Sequence, residues 1–238
     1  MKKKQIILLT AVFVVLIGIG AYAAFNSYLG NNVEIESVMA SQEETATTEA
    51  ASEASETAST EVSSGDLEGA WNIASGSKVY WSVTTSKETV NFVNEAVTGS
   101  WTVDLNDTAA MSGEGVLDMT ALDSENSQRD GHVKERADLL DVSTYPQAMF
   151  NTKSFSSLPA EWIEGTAVPL ATTGILTVKG KEKEVTFDGE AMYRDGNLLL
   201  SGTTKVTFAD FGMTSPHTIL LDTENELTVQ LELVLNKA

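Results

Sequence analysis

The feature that most constrains the fold is an alternation of apolar and polar residues that recurs from residue 79 to the C-terminus. In residues 227–233, Leu-Thr-Val-Gln-Leu-Glu-Leu, every second residue is apolar. Successive side chains of a strand point to opposite faces, so this run buries one face and leaves the other in water. The same pattern recurs in residues 79–83, 97–103, 115–119, 166–178, 185–187 and 198–208.

Turn residues separate these segments. Asn106-Asp107, Lys179-Gly180-Lys181 and residues 194–197 lie between alternating runs, and the last contains the Asp195-Gly196 pair that favours tight hairpins. The pattern predicts an all-β domain with seven or eight antiparallel strands. One-sided alternation over so many strands favours a barrel or sandwich over an α/β fold, whose buried parallel strands are apolar throughout.

One segment, residues 132–141, departs from the strand pattern. Val133, Ala137 and Leu140 have helical spacing, and Tyr145-Pro146 then ends the run. We expect a short helix on a long connection between strands. Such a connection forms either a lid at a portal or a plug for one barrel end, and both interpretations stay open.

The N-terminus has the pattern of a membrane-targeting segment, which we assign to residues 1–29. Lys2, Lys3 and Lys4 precede residues 6–24, which carry no charge. About 20 apolar residues span a bilayer as a helix, and the lysines would keep the N-terminus inside. Ala21 and Ala23 also form a signal-peptidase pattern, so the segment is either an uncleaved anchor or is removed after Ala23. Both alternatives place the following domain outside the cytoplasm, on the cell membrane or secreted.

Residues 30–69 are predicted to be a disordered acidic linker, and residues 70–238 a single domain. Between Val33 and Glu68 there are ten acidic residues and neither Lys nor Arg, among many Ser, Thr and Ala. Such a composition offers little to bury and repels itself into an extended chain. The chain has no cysteine, so disulfides and thiolate metal sites are excluded and the core alone must hold the domain.

Charge and residue types exclude several classes of function. The net charge is -19 without a basic stripe, which argues against nucleic-acid binding. The two histidines, His132 and His217, are far apart in sequence, and no serine lies in a G-x-S-x-G elbow. We therefore predict no catalytic residue, no metal and no cofactor, and interpret Arg129-Asp130 as a structural knot at the helical connection.

The aromatic residues on the apolar phase of the strands either fill a solid core or line a cavity, and periodicity does not separate the two. An eight-stranded barrel is just wide enough for either. Inward-facing glycines would leave room for a ligand, or else mark strand bends. The aromatic residues are Trp81, Phe92, Trp101, Phe150, Phe187 and Phe208, and the glycines are Gly99, Gly113, Gly115, Gly174 and Gly202.

Three segments resemble the YceI-like polyisoprenoid-binding family. Residues 122–150 carry Arg129-Asp130, His132, Lys134, Asp138 to Asp141 and Tyr145-Pro146 before Phe150; residues 174–187 and 205–213 match the family's Gly-Leu-Thr hairpin and Asp-Phe-Gly element. The resemblance spans residues 71–235. It implies a lipocalin-like, eight-stranded antiparallel barrel that holds a long isoprenoid or other acyl chain. The chain departs from the family at two places. A histidine is common near residues 84–86 and an arginine near residues 207–209, and this chain has neither there.

Inward-facing positions of such a barrel give the candidate ligand-binding residues. They are Val79, Trp81, Val83, Trp101, Val103, Leu117, Met119, Leu140, Phe150, Leu176, Val178 and Phe208.

The sequence therefore predicts a non-enzymatic, membrane-tethered protein outside the cytoplasm, whose barrel sequesters or carries an isoprenoid or fatty-acyl lipid. Two alternatives stay open. One is an extracellular interaction module with a solid core, and the other is a lipid-modifying enzyme that uses Arg129, Asp130 and His132. The sequence gives neither the ligand's head group nor the oligomeric state.

Overall fold

The computed structural model describes residues 30–40, 61–216 and 222–238. The predicted targeting segment 1–29 and residues 41–60 of the predicted linker lie outside these ranges. Within the described ranges, no helix has the length and apolar character needed to cross a membrane.

The described chain is built almost entirely of strands, as the alternation predicts. Two short helices, α1 (Ser64–Leu67) and α2 (Ser127–Glu135), and two 3-10 turns, Met119–Ala121 and Ala209–Phe211, interrupt the strands. The strands are β1 (Glu61–Val62), β2 (Gly69–Ile73), β3 (Lys78–Thr85), β4 (Thr89–Asn94), β5 (Val97–Val103), β6 (Ser112–Asp118), β7 (Gln147–Phe155), β8 (Trp162–Ile163), β9 (Val168–Val178), β10 (Lys181–Arg194), β11 (Asn197–Thr207) and β12 (Thr223–Lys237).

Eight antiparallel strands close into a barrel in the order β11-β10-β9-β7-β6-β5-β2-β12, with β12 returning to β11. The long strand β12 makes closure possible because one edge pairs with β11 while the other pairs first with β3 and then with β2. The β3–β4 hairpin extends the wall beyond β2, and β1 pairs separately with β8. The predicted all-β antiparallel barrel is confirmed.

Both predicted tight hairpins are present. Lys179 and Gly180 have φ values of 51° and 67°, and Asp195 and Gly196 have φ values of 52° and 76°. Positive φ at both central residues is the geometry whose twist matches that of the flanking strands. These turns fix the register of β9 against β10 and of β10 against β11.

The helical connection differs from the sequence prediction. Helix α2 spans Ser127–Glu135 and not residues 132–141. Asn126 caps it by accepting a hydrogen bond from Arg129 N (3.1 Å), and Arg136 already has extended backbone angles. Leu139 and Leu140 therefore reach the core from the turns after the helix. The apolar spacing that suggested a helix over 132–141 arises partly from this turn.

Residues 30–40 lie along the outer wall of the barrel, and we call this segment the strap. The side-chain oxygen of Asn31 accepts a hydrogen bond from Asn91 N on β4 (2.8 Å), and Val33 O accepts one from Asn91 Nδ2 (2.9 Å). At the other end, Arg194 Nη2 on β10 donates to Val38 O (2.8 Å). Val33 is buried. The sequence predicts a disordered linker here, and the difference arises from these long-range contacts.

A fully buried carboxylate, Glu232, supports the C-terminal part of the strap. It lies on the outer face of β12 and accepts hydrogen bonds from Val38 N (2.9 Å), Ser201 Oγ (2.7 Å) and Gln230 Nε2 (2.6 Å). Nearby, Lys78 forms an ion pair with Glu36 (2.6 Å). The predicted linker also has structure at its other end, where β1, α1 and the buried Leu67 precede residue 70.

Candidate binding site in the barrel interior

The two ends of the barrel are closed differently, and this difference positions the interior site. At one end, which we call the α1 end, Leu67 and Trp71 are almost fully buried. Trp71 Nε1 donates to Leu67 O (2.8 Å), and Trp162 Nε1 donates to Pro159 O (3.0 Å). At the opposite α2 end, the cover consists of residues 119–122, helix α2, the turns after it and Met213.

One interior void lies at the α2 end and has a volume of about 50 Å³. Its lining is entirely apolar. Six of the predicted ligand-binding residues line it: Trp81, Val83, Met119, Leu140, Val178 and Phe208. The other lining residues are not among the predicted ligand-binding residues. They are Phe92, Leu122, Val133, Leu139, Met213 and Leu227.

Two smaller voids, each of about 20 Å³, lie deeper in the barrel. Both are lined by Trp101, Leu170 and Leu200. One reaches Leu67 and Trp162 at the α1 end and includes the predicted residue Val103. The other is lined by Phe187 and Thr172.

The remaining predicted residues are buried in the core without lining these voids. They are Val79, Leu117, Phe150 and Leu176. Val83, which lines the α2-end void, is only half-buried. The structure thus brings all twelve predicted residues to one barrel, but distributes them over separate voids and the packing between them.

Two of the inward-facing glycines make room for aromatic rings. A Cβ atom on Gly113 would lie 2.7 Å from the Trp101 indole, and one on Gly174 would lie 2.7 Å from the Phe150 ring. A side chain at either position would collide with the ring, so only glycine allows these rings to pack against the backbone. Phe150 also contacts Phe187 edge to face, with centroids 5.0 Å apart. These glycines favour aromatic packing along the wall over open space.

Two lining residues of the α2-end void that were not predicted, Phe92 and Met213, lie at positions that the sequence pattern marks. Phe92 belongs to the apolar phase of β4, and Met213 directly follows the Asp210-Phe211-Gly212 element. In that element Asp210 accepts a hydrogen bond from Thr207 N (2.9 Å), Phe211 is buried and Gly212 takes a φ of 66°. The element thus directs Met213 into the barrel end.

Arg129 and Asp130 form a knot around Ser124, as the structural interpretation predicts. The buried Asp130 carboxylate accepts hydrogen bonds from Ser124 N (3.0 Å) and Ser124 Oγ. Arg129 Nε donates to Ser124 Oγ (2.9 Å) and Nη1 donates to Gly30 O (2.8 Å). Burial raises the pKa of Asp130, while the hydrogen bonds from Ser124 oppose that rise.

His132 does not complete a catalytic or metal centre with this knot. Its ring is exposed and lies beside Arg136, with Nε2 and Nη1 3.3 Å apart. Among the described residues, no group of three His, Asp or Glu side chains is placed to hold a metal ion. The knot instead ties the start of α2 to the beginning of the strap.

A closed antiparallel barrel with an apolar interior is the architecture of proteins that enclose slender apolar ligands or fill the same space with side chains. Residues 71–235 match the YceI-like domain, and the chain belongs to this family.

Two solved structures are similar to this fold. BcnA of Burkholderia cenocepacia is 21% identical, with a TM-score of 0.58 over 68% of this chain and 98% of that one. A polyisoprenoid binding domain from Saccharophagus degradans, implicated in plant cell wall breakdown, is 12% identical, with a TM-score of 0.57 over 72% of this chain and 99% of that one. A comparison with curated proteins finds no match.

Proposed function

We propose that this protein binds a long-chain isoprenoid or another acyl lipid inside its barrel and sequesters or carries it. The observation that carries this proposal is the fully apolar void at the α2 end, half of whose lining residues sequence reasoning assigned to ligand binding. The similarity to a polyisoprenoid binding domain supports the same ligand class. We assign the protein a binding role and no catalytic residue.

Ligand entry requires the interior to expand. Pockets for lipid-sized molecules measure roughly 300 to 1,000 Å³, whereas the voids here measure about 50, 20 and 20 Å³. Met119 and Met213 line the α2-end void, and their unbranched side chains change shape readily. The voids would join as side chains between them rotate.

The α2 end is the proposed entrance. Hairpin β3–β4 meets the segment after β6 there through one isolated bridge, between Val93 and Asp123. At the α1 end, β2 and β5 pair over four residue positions, and two tryptophan N–H groups have backbone partners. The cover of the α2 end is thus joined to the barrel wall by an isolated bridge and by single turn and loop hydrogen bonds, not by a continuous strand ladder, and such cover opens locally more easily.

Burial energy favours a long chain. Burying a methylene contributes about 0.8 kcal/mol, so each isoprene unit offers roughly 3 to 4 kcal/mol before the costs of association. Several units would bind tightly without a charged anchor. The apolar lining of the α2-end void fits such a ligand.

We also propose that the barrel is held outside the cytoplasm by residues 1–29, on the strength of the three lysines and the uncharged run that follows. Gly30, where the strap begins, accepts a hydrogen bond from Arg129 at the α2 end. An anchor ending at residue 29 would therefore place the proposed entrance beside the bilayer. N-terminal sequencing of the protein from its native cell tests this: an intact N-terminus in the membrane fraction fits the anchor, whereas a chain that begins at residue 24 contradicts it.

The lipid-binding proposal is tested on the full chain, because Leu67 and the strap belong to the folded unit. The purified protein is extracted with organic solvent and analysed by mass spectrometry, and a polyprenol is titrated in parallel. We expect a co-purified lipid or saturable polyprenol binding. If neither is found and fatty acids do not bind either, the lipid-binding proposal is contradicted. That result would favour the interaction module with a solid core, which the small void volumes also fit.

A further inference from the structure

The four tryptophans of this chain divide into two pairs by their hydrogen bonding. Trp71 and Trp162 donate their indole N–H groups to backbone carbonyls at the α1 end. Trp81 and Trp101 are 8% and 5% exposed, and their Nε1 atoms have no hydrogen-bond partner among the described residues. No other buried side-chain nitrogen or oxygen in the described part of the chain lacks a partner.

Buried donors without partners are rare because burial removes their bonds to water and returns nothing. Phenylalanine at either position would supply an aromatic ring to the wall without that cost. The two unpartnered donors therefore point to an acceptor that arrives from outside the polypeptide. Their location shows where that acceptor would lie.

Each unpartnered indole belongs to a side chain that lines the interior voids, but its N–H is covered in this structure, so a ligand oxygen reaches it only once the interior has expanded. Trp81 lines the void at the α2 end, and Trp101 lines both deeper voids. Trp101 is held in place because Gly113 receives its ring and Phe155 contacts it at 64° with centroids 5.6 Å apart. Thr172 lines one of the same voids but does not accept a hydrogen bond from Trp101 Nε1.

The surroundings of these donors restrict the acceptor's chemistry. No lysine or arginine lines any of the three voids. A phosphate or carboxylate drawn this far into the barrel would lose its hydration without a cation to replace it. A neutral oxygen, as in an ester, ketone or ether, loses far less on burial and accepts a hydrogen bond from an indole N–H.

We propose that Trp81 and Trp101 donate hydrogen bonds to neutral acceptor oxygens of the bound lipid. The ligand class is then an apolar chain that carries neutral oxygen acceptors within the part enclosed by the barrel, and not a bare hydrocarbon chain. This proposal rests on the lipid-binding function proposed above and specifies its ligand.

The test compares two probes of related character on the full chain by native mass spectrometry. Geranylgeranyl acetate carries an ester, and squalene is a hydrocarbon. We expect the protein to prefer the ester by about fivefold or more, the effect of one typical hydrogen bond. Trp81→Phe and Trp101→Phe should each reduce this preference, and the double variant should abolish it while squalene binding is retained. The matched control, Trp71→Phe, removes an N–H that is bonded to Leu67 O at a side chain that lines none of the three voids, and it should leave the preference intact.

A second measurement works even if a variant fails to fold. In wild-type protein labelled with ¹⁵N, the indole N–H signals of Trp81 and Trp101 should shift downfield with the ester and not with squalene, while those of Trp71 and Trp162 stay in place. Equal binding of both probes, with all four indole signals unmoved, would overturn the acceptor proposal and leave the lipid carrier standing. Binding of neither probe would overturn both proposals.

Discussion

The two ends of this barrel use similar residues in different ways. At the α1 end, Leu67 and Trp71 are 1% and 0% exposed, and both nearby tryptophan N–H groups are bonded to backbone. At the α2 end, Leu140 and Trp81 are 9% and 8% exposed and line the void there, and the Trp81 N–H has no partner among the described residues. The α1 end therefore borders a void of only about 20 Å³ and its own two tryptophan donors are bonded, while the α2 end borders a void of about 50 Å³ and has an unused donor.

This contrast separates stability from function along one barrel axis. A packed, hydrogen-bonded end resists change because moving any group leaves a gap or an unpaired atom. A loosely packed end built from methionine and leucine side chains adapts at lower cost. We infer that the α1 end stabilises the fold and that the α2 end admits the ligand.

The largest effect that tests this contrast comes from the same substitution at both ends. Leu67→Ala should lower the free energy of unfolding by about 3 to 4 kcal/mol, because Leu67 is almost fully buried and borders a void of only about 20 Å³. Leu140→Ala adjoins existing free volume and should cost about 2 kcal/mol or less, while it speeds lipid exchange. Urea denaturation and the rate of polyprenol release measure the two effects. A larger stability loss for Leu140→Ala would contradict the division of roles.

A second prediction concerns the aromatic wall between the ends. Gly113→Ala would place a Cβ atom 2.7 Å from the Trp101 ring and force it from the wall. We expect a loss of about 2 kcal/mol by thermal denaturation, as for other overpacked cores. Gly202→Ala is the matched control, since its Cβ atom would meet its nearest neighbour at 3.5 Å. Similar melting temperatures for the two variants would show that the Trp101 ring is not fixed.

A third prediction addresses the strap, which runs outside the barrel from the α2 end to Arg194. Glu232→Gln removes the charge of a fully buried carboxylate and replaces one of its acceptor oxygens by a donor, so the hydrogen bonds at that oxygen are lost or must reverse direction. We expect a loss of about 1.5 kcal/mol and faster hydrogen exchange at Val38 N. Glu36→Gln, which disrupts an exposed ion pair, should cost much less, because solvent screens such pairs. Equal effects would mean that Glu232 does not hold the strap.

The smallest effect is a pH dependence at the α2 end. The hydrogen bond from Lys183 (2.7 Å), together with those from Thr207, holds the pKa of Asp210 below its ordinary value. A carboxyl whose folded-state pKa is lowered stabilises the fold above its unfolded pKa of roughly 4, and this stabilisation is lost as pH falls through the folded pKa.

Asp210→Asn should therefore cost about 1 kcal/mol at pH 7, and the difference from wild type should shrink as the pH falls below about 4. Denaturation series at several pH values measure this difference. Glu226→Gln, in an exposed pair with Lys205, serves as the control and should show a smaller change. A constant cost for Asp210→Asn across the whole pH range would refute the assignment.

The alternation of residues predicted the barrel because one-sided burial leaves a period of two in each long strand. Residues 97–103 match β5 at both ends. Strands β2, β4 and β7 were not among the predicted segments, since β2 is short and β7 places the small Ala148 on its buried face. The eight-stranded barrel was implied by the family resemblance, which the match over residues 71–235 bears out.

The interior was harder to predict than the fold. Strand phase identified buried residues such as Phe150 and Leu176, but phase alone does not tell a packed side chain from one beside a void. The strap could not be predicted from its composition, because its order depends on Asn91, Arg194 and Glu232, which lie far along the chain. Helix α2 was misplaced because the Asn126 cap was overlooked in favour of apolar spacing.

We propose above that the lipid lies inside the barrel and enters at the α2 end. Photo-crosslinking of the full chain with a diazirine-bearing polyprenol, followed by peptide mass spectrometry, tests it directly. We predict adducts on peptides that contain Met119, Leu140 and Met213, with competition by unlabelled polyprenol. Adducts confined to exposed residues of the outer surface, such as Met149 and Ile163, would contradict the claim.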